Sequence, residues 1–541
     1  MKYGFIIDNR KCIGCHACTT ACKAEHDVPL GVNRTWVKQV EKGVFPNTRR
    51  LFSVMRCNHC TDAPCVEICP VEALYYREDG IVDFDKRRCI GCKSCMQACP
   101  YDALYIDPES HTAAKCNYCA QRIDIGLEPA CVNVCPEHAI ISGDMDDPAT
   151  EIAQLLAREQ VTVRKAAKGT SPNLFYIHGD EASLTPGLTQ RDTEYFWNSQ
   201  SLGVGHYAKA AEKMAFSNGD VVEALLQNSS HIATAGEVER NGAAKSIDLL
   251  LGKPRRIYDT PDKGVLWGWE VPAYLTTKAV SAGVFLMPVL AILSGAAQPS
   301  GTIWWWVLGT ALLALAATGA FLVKDLDRPD RFLNVLLRPQ KRSWLVWGGY
   351  GITVYGGLLT LFAGLQWGGL SGLASVVMYL NAALALFVAV YTAFLFAQAK
   401  GRDFWQSPTL VLHMLVHSVM AGAAALAFIG LLAGMDAAWQ AFLNVVLLAG
   451  IGANLLTIFV EMAVPHPTTD AKAVADMILN GRYRNRFWLG TVLLGNVLPA
   501  ALLLAIGTTP LLLAAAGALV LTGIYLTERI WVEAPQRIAL I

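Results

Sequence analysis

Sixteen cysteines, all within the first 135 of 541 residues, are the side chains with the most specific chemistry in this sequence. They form four groups of four, in chain order Cys12, Cys15, Cys18, Cys22; Cys57, Cys60, Cys65, Cys69; Cys89, Cys92, Cys95, Cys99; and Cys116, Cys119, Cys131, Cys135. The first and third groups read C-x2-C-x2-C-x3-C, the ligand spacing of bacterial 4Fe–4S proteins. The other two groups keep the first and last spacings and lengthen the middle one. Four such groups predict four 4Fe–4S clusters.

Disulfides and zinc are the competing interpretations of these cysteines. Disulfides are typical of small domains in oxidising compartments, and no secretory signal is recognised in the opening MKYGFIIDNR. Zinc sites use C-x2-C pairs but have no need for a run of four cysteines at this spacing. The fourth cysteine of such a run ligates the neighbouring cluster, because it begins a helix that points away from the first one. We therefore expect the groups to work in pairs.

Composition divides the chain into two unlike parts. Lysine plus arginine and aspartate plus glutamate number 45 each, so the formal charge is zero and no basic surface for nucleic acid is indicated. Hydrophobic residues make up 53% of the chain, and the excess begins near residue 265. We predict a multidomain protein in which an α+β iron–sulfur domain is followed by an all-α membrane bundle.

Residues 1–143 contain a repeated unit. The stretch after the second cysteine group predicts a hairpin with strands at 73–76 and 81–84, and ALYID with HTAAKC repeats the pattern around Pro108. Cluster loops alternating with hairpins resemble the double ferredoxin-like electron-transfer subunits of the dimethyl sulfoxide reductase and polysulfide reductase families. The matching segments are YGFIIDNRKCIGCHACTTACKAEHDVP, CNHCTDAPCVEICP, CIGCKSCMQACP and CNYCAQRIDIGLEPACVNVCP.

This resemblance implies how the cysteine groups pair, the first with the fourth and the second with the third. The implied ligand sets are Cys12, Cys15, Cys18, Cys135; Cys22, Cys116, Cys119, Cys131; Cys57, Cys60, Cys65, Cys99; and Cys69, Cys89, Cys92, Cys95. Residues 144–264 carry no comparable motif. They include some helical stretches, such as Asp220–Gln227, and we expect the segment to pack on the cluster domain or on a partner subunit.

Eight apolar segments in residues 265–541 are long enough to span a bilayer, which takes about 20 residues. The predicted spans are 272–293, 303–323, 344–364, 376–397, 409–433, 437–460, 487–506 and 509–528. Fourteen lysines and arginines lie in the loops and tail on the side of the cluster domain, and none lie in the four opposite loops. The positive-inside rule therefore predicts a multi-pass protein of the cytoplasmic membrane with its clusters in the cytoplasm, although positive loops also serve docking.

The apolar part resembles the NrfD type of quinone-binding membrane subunit of the polysulfide reductase family. The segments that carry this resemblance are WGWEVPAYLTTKAVSAG, KDLDRPDRFLNVLLRPQKRSWLVWG and GRYRNRFWLGTVLLGNVLP. The resemblance implies a bundle that binds a quinone, menaquinone or ubiquinone, close to the cluster domain and without haem. It also implies a separate catalytic subunit with a molybdenum or tungsten pterin cofactor, and this chain has no pterin site of its own.

Titratable residues inside a membrane are costly and usually functional. Seven of them fall in the half of the predicted bundle nearest the clusters, and we select them as candidate quinone ligands: Glu270, Tyr274, Lys278, Asp325, Arg328, His413 and His417. They would supply hydrogen bonds to the quinone carbonyls and a route for protons. In the simpler interpretation, Glu270 and Glu461 are interfacial, Lys278 reaches back to the membrane surface, and the histidines make hydrogen bonds between helices.

Together these features predict the electron-transfer and membrane-anchor subunit of a respiratory oxidoreductase. The quinone site is the one reaction site that the chain itself is expected to hold, and a higher oligomer of the complex is left open. The substrate of the partner stays open among formate, sulfur oxyanions, polysulfide, sulfoxides and arsenic oxyanions. The alternatives are an ion-translocating module of a larger complex, which needs a buried titratable path to the far face, and a membrane-anchored ferredoxin whose bundle binds nothing.

Overall fold

The computed structural model describes residues 1–43, 47–189, 254–260, 262–505 and 509–541. The predicted helical stretch Asp220–Gln227 lies outside the described residues. The strands are β1 (Tyr3–Asp8), β2 (Thr35–Lys42), β3 (Arg49–Arg56), β4 (Leu74–Tyr76), β5 (Val82–Phe84), β6 (Tyr105–Ile106), β7 (Ala113–Ala114), β8 (Ile140–Asp144), β9 (Val161–Thr162), β10 (Leu174–Ile177) and β11 (Arg255–Tyr258). Short helices between them are α1 (Ala17–His26), α2 (Pro64–Ile68), α3 (Ser94–Ala98), α4 (Ala120–Ile123), α5 (Ala130–Asn133), α6 (Glu151–Arg158) and α7 (Glu181–Leu184).

Both predicted hairpins are confirmed. Strands β4 and β5 pair antiparallel across the Asp79–Gly80 turn, and β6 pairs antiparallel with β7. Each hairpin lies between two cysteine groups along the chain. The second and third cysteine groups are therefore joined by the β4–β5 hairpin, and the third and fourth by the β6–β7 hairpin.

The main sheet extends past the predicted domain boundary at residue 143. Its strand order is β8-β1-β10-β9, with β1 antiparallel to β8 and parallel to β10. Strand β8 crosses residue 143, and β10 comes from residues 174–177. Strand β11 pairs with β2 in a second sheet with order β11-β2-β3. The described parts of the connecting segment, 144–189 and 254–260, thus pack on the cluster domain, as one of the two expectations held.

The second half of the chain is helical. Its helices are α8 (Glu270–Ser294), α9 (Gly301–Lys324), α10 (Asn334–Leu337), α11 (Trp344–Trp367), α12 (Ser371–Gln398), α13 (Thr409–Ala433), α14 (Ala437–Ala463), α15 (Thr469–Leu479), α16 (Arg486–Val497), α17 (Leu498–Ala505) and α18 (Pro510–Gln536). Helix α16 is wound as a π-helix and runs directly into α17. Within the described residues, eight helical spans are long and apolar enough to cross a membrane, counting α16 with α17 as one. The prediction of eight spans is confirmed.

The last span differs from its prediction in length. It was expected to end at residue 528, where Thr527, Glu528 and Arg529 interrupt the hydropathy, but α18 continues to Gln536. The residues that follow, Ile530–Val532, are buried against other helices and against the cluster domain. Packing therefore extends the helix by two turns and draws Glu528 into the interior of the bundle.

The cluster domain rests on one end of the bundle through hydrogen bonds to backbone and side-chain atoms of the third cysteine group. Trp267 Nε1 donates to the Cys92 carbonyl over 3.1 Å, and an Arg331 guanidinium nitrogen donates to the Cys89 carbonyl over 3.1 Å. Arg402 donates to Gln97 Oε1 over 2.9 Å. These contacts fix the third cysteine group directly against the membrane helices.

Candidate functional site

The four C-x2-C loops share one backbone feature, a left-handed third residue. These residues are Gly14, His59, Gly91 and Tyr118, with φ of 73°, 42°, 70° and 62°. A residue at positive φ turns the chain so that successive N–H groups face one side of the loop, and glycine adopts this conformation without strain. The turn lets the cysteines of each loop face a common point. Such N–H groups also donate to thiolates, as Gly91 N does to Cys89 Sγ over 3.4 Å.

Three cavities in the cluster domain are each lined by four cysteines, three from one group and one from its paired group. The sets are Cys12, Cys15, Cys18 and Cys135; Cys57, Cys60, Cys65 and Cys99; and Cys69, Cys89, Cys92 and Cys95. These are three of the four ligand sets that the resemblance implied. Each set joins two segments far apart in sequence, so each cavity depends on the fold as well as on the spacing.

The remaining four cysteines form the fourth set. The Cys22 thiol interacts electrostatically with those of Cys116, Cys131 and Cys119. Two cationic or polar side chains approach this set from its sides: an Arg56 guanidinium nitrogen lies 3.1 Å from Cys131 Sγ, and His26 Nε2 lies 3.2 Å from Cys119 Sγ. Arg56 is fully buried, and its positive charge compensates thiolate charge in the domain core.

The donor sets are suited to cubane clusters. All sixteen cysteines are free thiols, so none is consumed by a disulfide. Burial raises the pKa of the Cys18 thiol to about 11 and that of Cys92 to about 12. These thiols would therefore be neutral at pH 7 without a metal, and iron binding supplies the driving force for losing the proton. The cysteines and the 4Fe-4S domain matches reported below support iron–sulfur clusters in this domain.

Electrostatic interactions between thiols of different sets indicate which sets are neighbours. The Cys18 thiol interacts electrostatically with Cys131, the Cys57 thiol with Cys116, and the Cys95 thiol with Cys65. The order that follows starts at the set containing Cys12, passes through those containing Cys22 and Cys57, and ends at the set containing Cys69. One end of this line is open to solvent, since Cys15 is exposed.

The other end of the line meets a cavity of about 260 Å³ between the cluster domain and the bundle. Ile90, Cys92 and Ser94 of the third cysteine group form one wall, and helices α8, α9, α11 and α12 form the others. Most of the lining is apolar, and Tyr274, Asp325 and Tyr391 are among its few polar side chains, which is the usual character of a site for an apolar cofactor or substrate. A ligand here would lie directly against a cluster cysteine.

Asp325 is the acidic group of this cavity. Burial raises its pKa to about 7, and the negative charges of Glu270 and Asp327 add to the effect, whereas Lys93 opposes it. The Lys93 ammonium lies 3.8 Å from the Asp325 carboxylate. A carboxyl group with this pKa can release or accept a proton near neutral pH.

The seven predicted quinone residues do not form one site. Tyr274 and Asp325 line the cavity, and Lys278 lies one turn deeper on α8, with its Nζ 4.7 Å from the ring centre of Tyr391. Lys278 is 2% exposed, so it does not reach back to the membrane surface. Glu270 instead lies 3.8 Å from Lys324 at the end of α9.

Arg328 serves docking instead of lining the cavity. Its backbone N–H donates to the Ile90 carbonyl over 3.2 Å, and its guanidinium binds Asp330 and the Ser110 carbonyl. Arginines of the RPDRF signature thus hold the third cysteine group through hydrogen bonds to its backbone. Arg328, Arg331 and Arg402 all bind the cluster domain, so part of the positive charge on this side of the bundle has a docking role.

His413 and His417 belong to a separate buried cluster among helices α13, α14 and α18. Glu461 and Glu528 complete it, and both carboxylates are 4% exposed. Glu461, which the simpler interpretation placed at the membrane interface, is therefore shielded from solvent inside the bundle, and Glu528 was missed because the predicted span ended at that residue. Its sequence signal was the apolar run Ile530–Val532 directly after it, which indicates that the helix continues.

Two kinds of family model describe most of the chain. The 4Fe-4S dicluster domain matches residues 48–145, and a second 4Fe-4S dicluster model matches residues 11–74. The model for polysulphide reductase, NrfD, matches residues 260–534, about half of the chain. The two kinds of match divide the chain where the structure passes from the α+β domain to the membrane helices.

The relatives of this chain include components of three reductases. One subunit of tetrathionate reductase from Salmonella typhimurium is 46% identical over 189 residues, which are 34% of this chain and 76% of the relative. One component of polysulfide reductase from Wolinella succinogenes is 43% identical over 181 residues, 32% of this chain and 94% of the relative. A putative iron–sulfur subunit of dimethyl sulfoxide reductase from Halobacterium salinarum is 36% identical over 231 residues, 37% of this chain and 84% of the relative.

These matches cover both parts of one polypeptide. The relatives correspond to the cluster domain alone, and the NrfD model corresponds to the membrane bundle. The protein therefore belongs to the polysulphide reductase NrfD family and fuses its membrane domain to an iron–sulfur domain homologous to reductase electron-transfer subunits.

Proposed function

We propose that this chain carries electrons between a separate catalytic subunit and membrane quinone through four 4Fe–4S clusters, and anchors that subunit to the membrane. The observation that carries the proposal is the line of four cysteine sets, exposed at Cys15 and ending at the cavity that contains Cys92. Clusters held in these sets would pass electrons one at a time between neighbours. All sixteen cysteines are their proposed ligands.

The cavity is the proposed quinone site. The Cys92 wall places the last cysteine set beside the quinone ring, and Tyr274, Asp325 and Tyr391 are the hydrogen-bonding groups available to its carbonyls. Quinone reduction takes two electrons and two protons, and quinol oxidation returns them. Asp325 holds or accepts one proton because its carboxyl group titrates near neutral pH. Lys278 holds another proton one turn deeper in α8.

The exposed end of the cysteine line is the proposed docking face for the catalytic subunit. Ile13, next to Cys12, is 54% exposed, and Val134, next to Cys135, is 38% exposed. Exposed apolar side chains beside a cluster site support a protein partner there, because a bound partner would shield these side chains and the cluster site from water. The named relatives are components of tetrathionate, polysulfide and dimethyl sulfoxide reductases. A molybdenum or tungsten pterin partner, implied by the family resemblance, is part of this proposal.

The cluster domain is proposed to face the cytoplasm. Positive residues such as Arg338 and Lys341 lie on this side of the bundle without a role in the docking contacts described above, which supports the positive-inside argument. Protease added to intact cells should spare the cluster domain and cleave it once the cells are opened. Cleavage from outside would contradict the orientation without affecting the electron path.

The first test is to purify the protein in mild detergent and identify what accompanies it. Mass spectrometry should find a large pterin-binding subunit, and metal analysis should find molybdenum or tungsten together with iron for four clusters. The active site of that partner would then define the substrate. Recovery with only further membrane or haem subunits would contradict the proposal and favour an energy-converting assembly.

A further inference from the structure

Four buried titratable side chains face one another among helices α13, α14 and α18. His417 Nδ1 lies 2.7 Å from Glu528 Oε1, and His413 lies 3.6 Å from Glu528 Oε1 and 3.7 Å from Glu461 Oε2. We call His413, His417, Glu461 and Glu528 the His/Glu tetrad. Three helices contribute to it, α13 with both histidines, α14 with Glu461 and α18 with Glu528.

A chain of amides fixes which nitrogen of His417 carries a proton. Asn496 Nδ2 donates to the Thr491 carbonyl over 2.7 Å, so Asn496 Oδ1 accepts from Asn454 Nδ2 over 2.9 Å. Asn454 then presents its Oδ1 to His417 Nε2 at 3.2 Å. An amide oxygen can only accept a hydrogen bond. His417 Nε2 is therefore protonated, and Nδ1 is left to face Glu528.

One further proton lies between His417 and Glu528. A separation of 2.7 Å between Nδ1 and Oε1 requires a hydrogen bond, and the pair is electrically neutral whichever atom holds the proton. His413, His417 and Glu528 are also close enough to ligate a metal ion. A metal at His417 Nδ1 would have to displace the shared proton, so proton binding and metal binding are alternative uses of this cluster, and the metal content of the purified protein distinguishes them.

His413 is the member of the tetrad whose charge the contacts leave unassigned. Both of its ring nitrogens are buried, and neither makes a hydrogen bond within the described residues. A carboxylate lies beyond hydrogen-bond reach of each, so a small shift would let a protonated His413 bind either one. Glu461 is already stabilised as a carboxylate by Trp531 Nε1 at 3.1 Å and by Thr409 Oγ1 at 3.2 Å.

Lys278 is a fifth buried titratable side chain in the bundle. It lies on α8, which packs against α13 and α18, the helices that carry the two histidines and Glu528. Its Nζ donates to Thr392 Oγ1 over 2.6 Å and lies against Tyr391, which lines the quinone cavity. The membrane interior penalises net charge, so the buried Glu461 carboxylate favours one positive charge inside the bundle, and His413 and Lys278 are two buried bases that can carry it. The group therefore accommodates one mobile proton, on the lysine or on the imidazole.

The tetrad also has a polar connection toward the cluster-facing end of the bundle. Thr409 Oγ1 donates to Glu461 and accepts a hydrogen bond of 2.6 Å from Ser407 Oγ. Ser407 and Thr409 are half-buried at the start of α13, and the neighbouring Gln406 and Pro408 are exposed. A proton reaching Glu461 from this edge would have only His413 between it and Glu528.

We propose that the His/Glu tetrad is a proton-binding site that exchanges one proton with the cluster-facing side, and that charge couples its occupancy to Lys278 at the quinone site. The coupling rests on the proposed function. When Lys278 gives its proton toward a quinone being reduced, His413 takes one up through Thr409 and Glu461. When quinol is oxidised, the proton moves in the reverse direction. No electron or bond other than the N–H bonds changes in the tetrad.

Infrared difference spectroscopy on the detergent-purified complex tests the site and its coupling separately. A step in pH should give histidine and carboxyl bands that shift in D2O and that disappear in Glu528→Gln and His413→Asn. The same bands should appear when added quinone is converted to quinol. Quinol oxidation by an artificial acceptor should fall by about tenfold or more in both variants, with KM for quinol unchanged.

The matched control is Glu533→Gln, a carboxylate on the same helix that binds Arg529 instead of the tetrad. It should keep the bands and the turnover. Iron content and cluster spectra identify the variants that assemble. If Glu528→Gln does not assemble, Glu461→Gln takes its place in the experiment.

Three results would contradict the proposal: pH-dependent bands that survive in the assembled variants, bands that ignore quinone conversion, or a stoichiometric divalent metal lost with His413. If the wild-type complex passes electrons from dyes through its clusters but not from quinol, the quinone function fails instead. The pH-step result still decides the proton site in that case.

Discussion

The cluster domain and the membrane bundle form their sites in different ways. In the cluster domain each site takes three ligands from one short stretch, such as Cys57, Cys60 and Cys65, so the spacing along the chain already specifies most of it. In the bundle the side chains that meet come from separate helices, as Glu461 and Glu528 do. Sequence therefore identifies chemistry when the ligands are local, and only helix packing identifies it when they are not.

Changing Cys95 to serine should remove a ligand that no neighbouring side chain can replace. Cys95 is buried in the set nearest the cavity, so loss of that cluster would interrupt the line of four. We expect quinol-dependent reduction of the partner to be abolished, with lower iron content and the loss of one set of paramagnetic signals. Met96→Leu, a volume-conserving change at the adjacent buried residue, is the control. Unchanged iron and spectra in Cys95→Ser would contradict the ligand assignment.

Changing Asp325 to asparagine should slow quinone chemistry by about a hundredfold, the lower end of the usual effect of a general acid or base. Quinol oxidation needs the carboxylate form to accept a proton. Because the Asp325 pKa is raised to about 7, the wild-type rate should increase as pH rises through that value. In Asp325→Asn this inflection should be absent, while dye-driven reduction of the clusters stays normal. A steady-state pH profile of quinol oxidation measures both effects, and an unchanged inflection in the variant would assign it to another group.

Changing Gly91 to alanine should disturb both regions at once. Its φ of 70° costs an alanine about 1–2 kcal/mol, and an added Cβ would lie 2.7 Å from Asp327 Cβ and 3.0 Å from Asp327 N. Gly126 has a φ of 77° but nothing near its Cβ position, so Gly126→Ala isolates the backbone strain from the clash. We expect a larger loss of thermal stability and of quinol turnover in Gly91→Ala than in Gly126→Ala. Equal losses would show that the docking of the loop after α9 does not depend on this glycine.

Changing Arg331 to alanine should have the smallest effect, because it removes only hydrogen bonds between the two regions. Its guanidinium donates to the Lys86 and Cys89 carbonyls over 2.8 and 3.1 Å. Two such bonds contribute about 1–3 kcal/mol to the docking of the cluster domain. Arg338→Ala removes an exposed positive charge from the same loop and is the control. Limited proteolysis of the purified protein should release the cluster domain faster in Arg331→Ala, and equal rates would assign no docking role to Arg331.

In the bundle, hydropathy predicts the spans but not the contacts between them. Hydropathy located all eight spans, because burial in lipid requires a long apolar run in each of them. It placed the end of the last span at Glu528, since a charged residue lowers the hydropathy of any window that contains it. The structure shows that residue facing two histidines of α13, which compensate the cost of burying it. A hydropathy window cannot include a compensating partner from another helix.

The seven quinone candidates illustrate the same limit. Of these seven, Tyr274, Lys278 and the two histidines are buried in the bundle. Depth alone did not show that the two histidines lie outside the cavity, or that Arg328 turns toward the cluster domain. Direction around a helix axis decides those contacts, and it depends on how the helices pack.

The sequence by itself determined the type and number of cysteine sets, the hairpins between them, the eight spans and the family resemblance. Each of these depends on short-range spacing or on local hydropathy. Tertiary structure alone decided that the cysteine sets form a line from an exposed cysteine to a cavity beside Cys92, and that two histidines and two glutamates meet inside the membrane. Those arrangements join residues of different elements that lie far apart in the sequence, such as His417 and Glu528, and only the packing of whole elements brings such residues together.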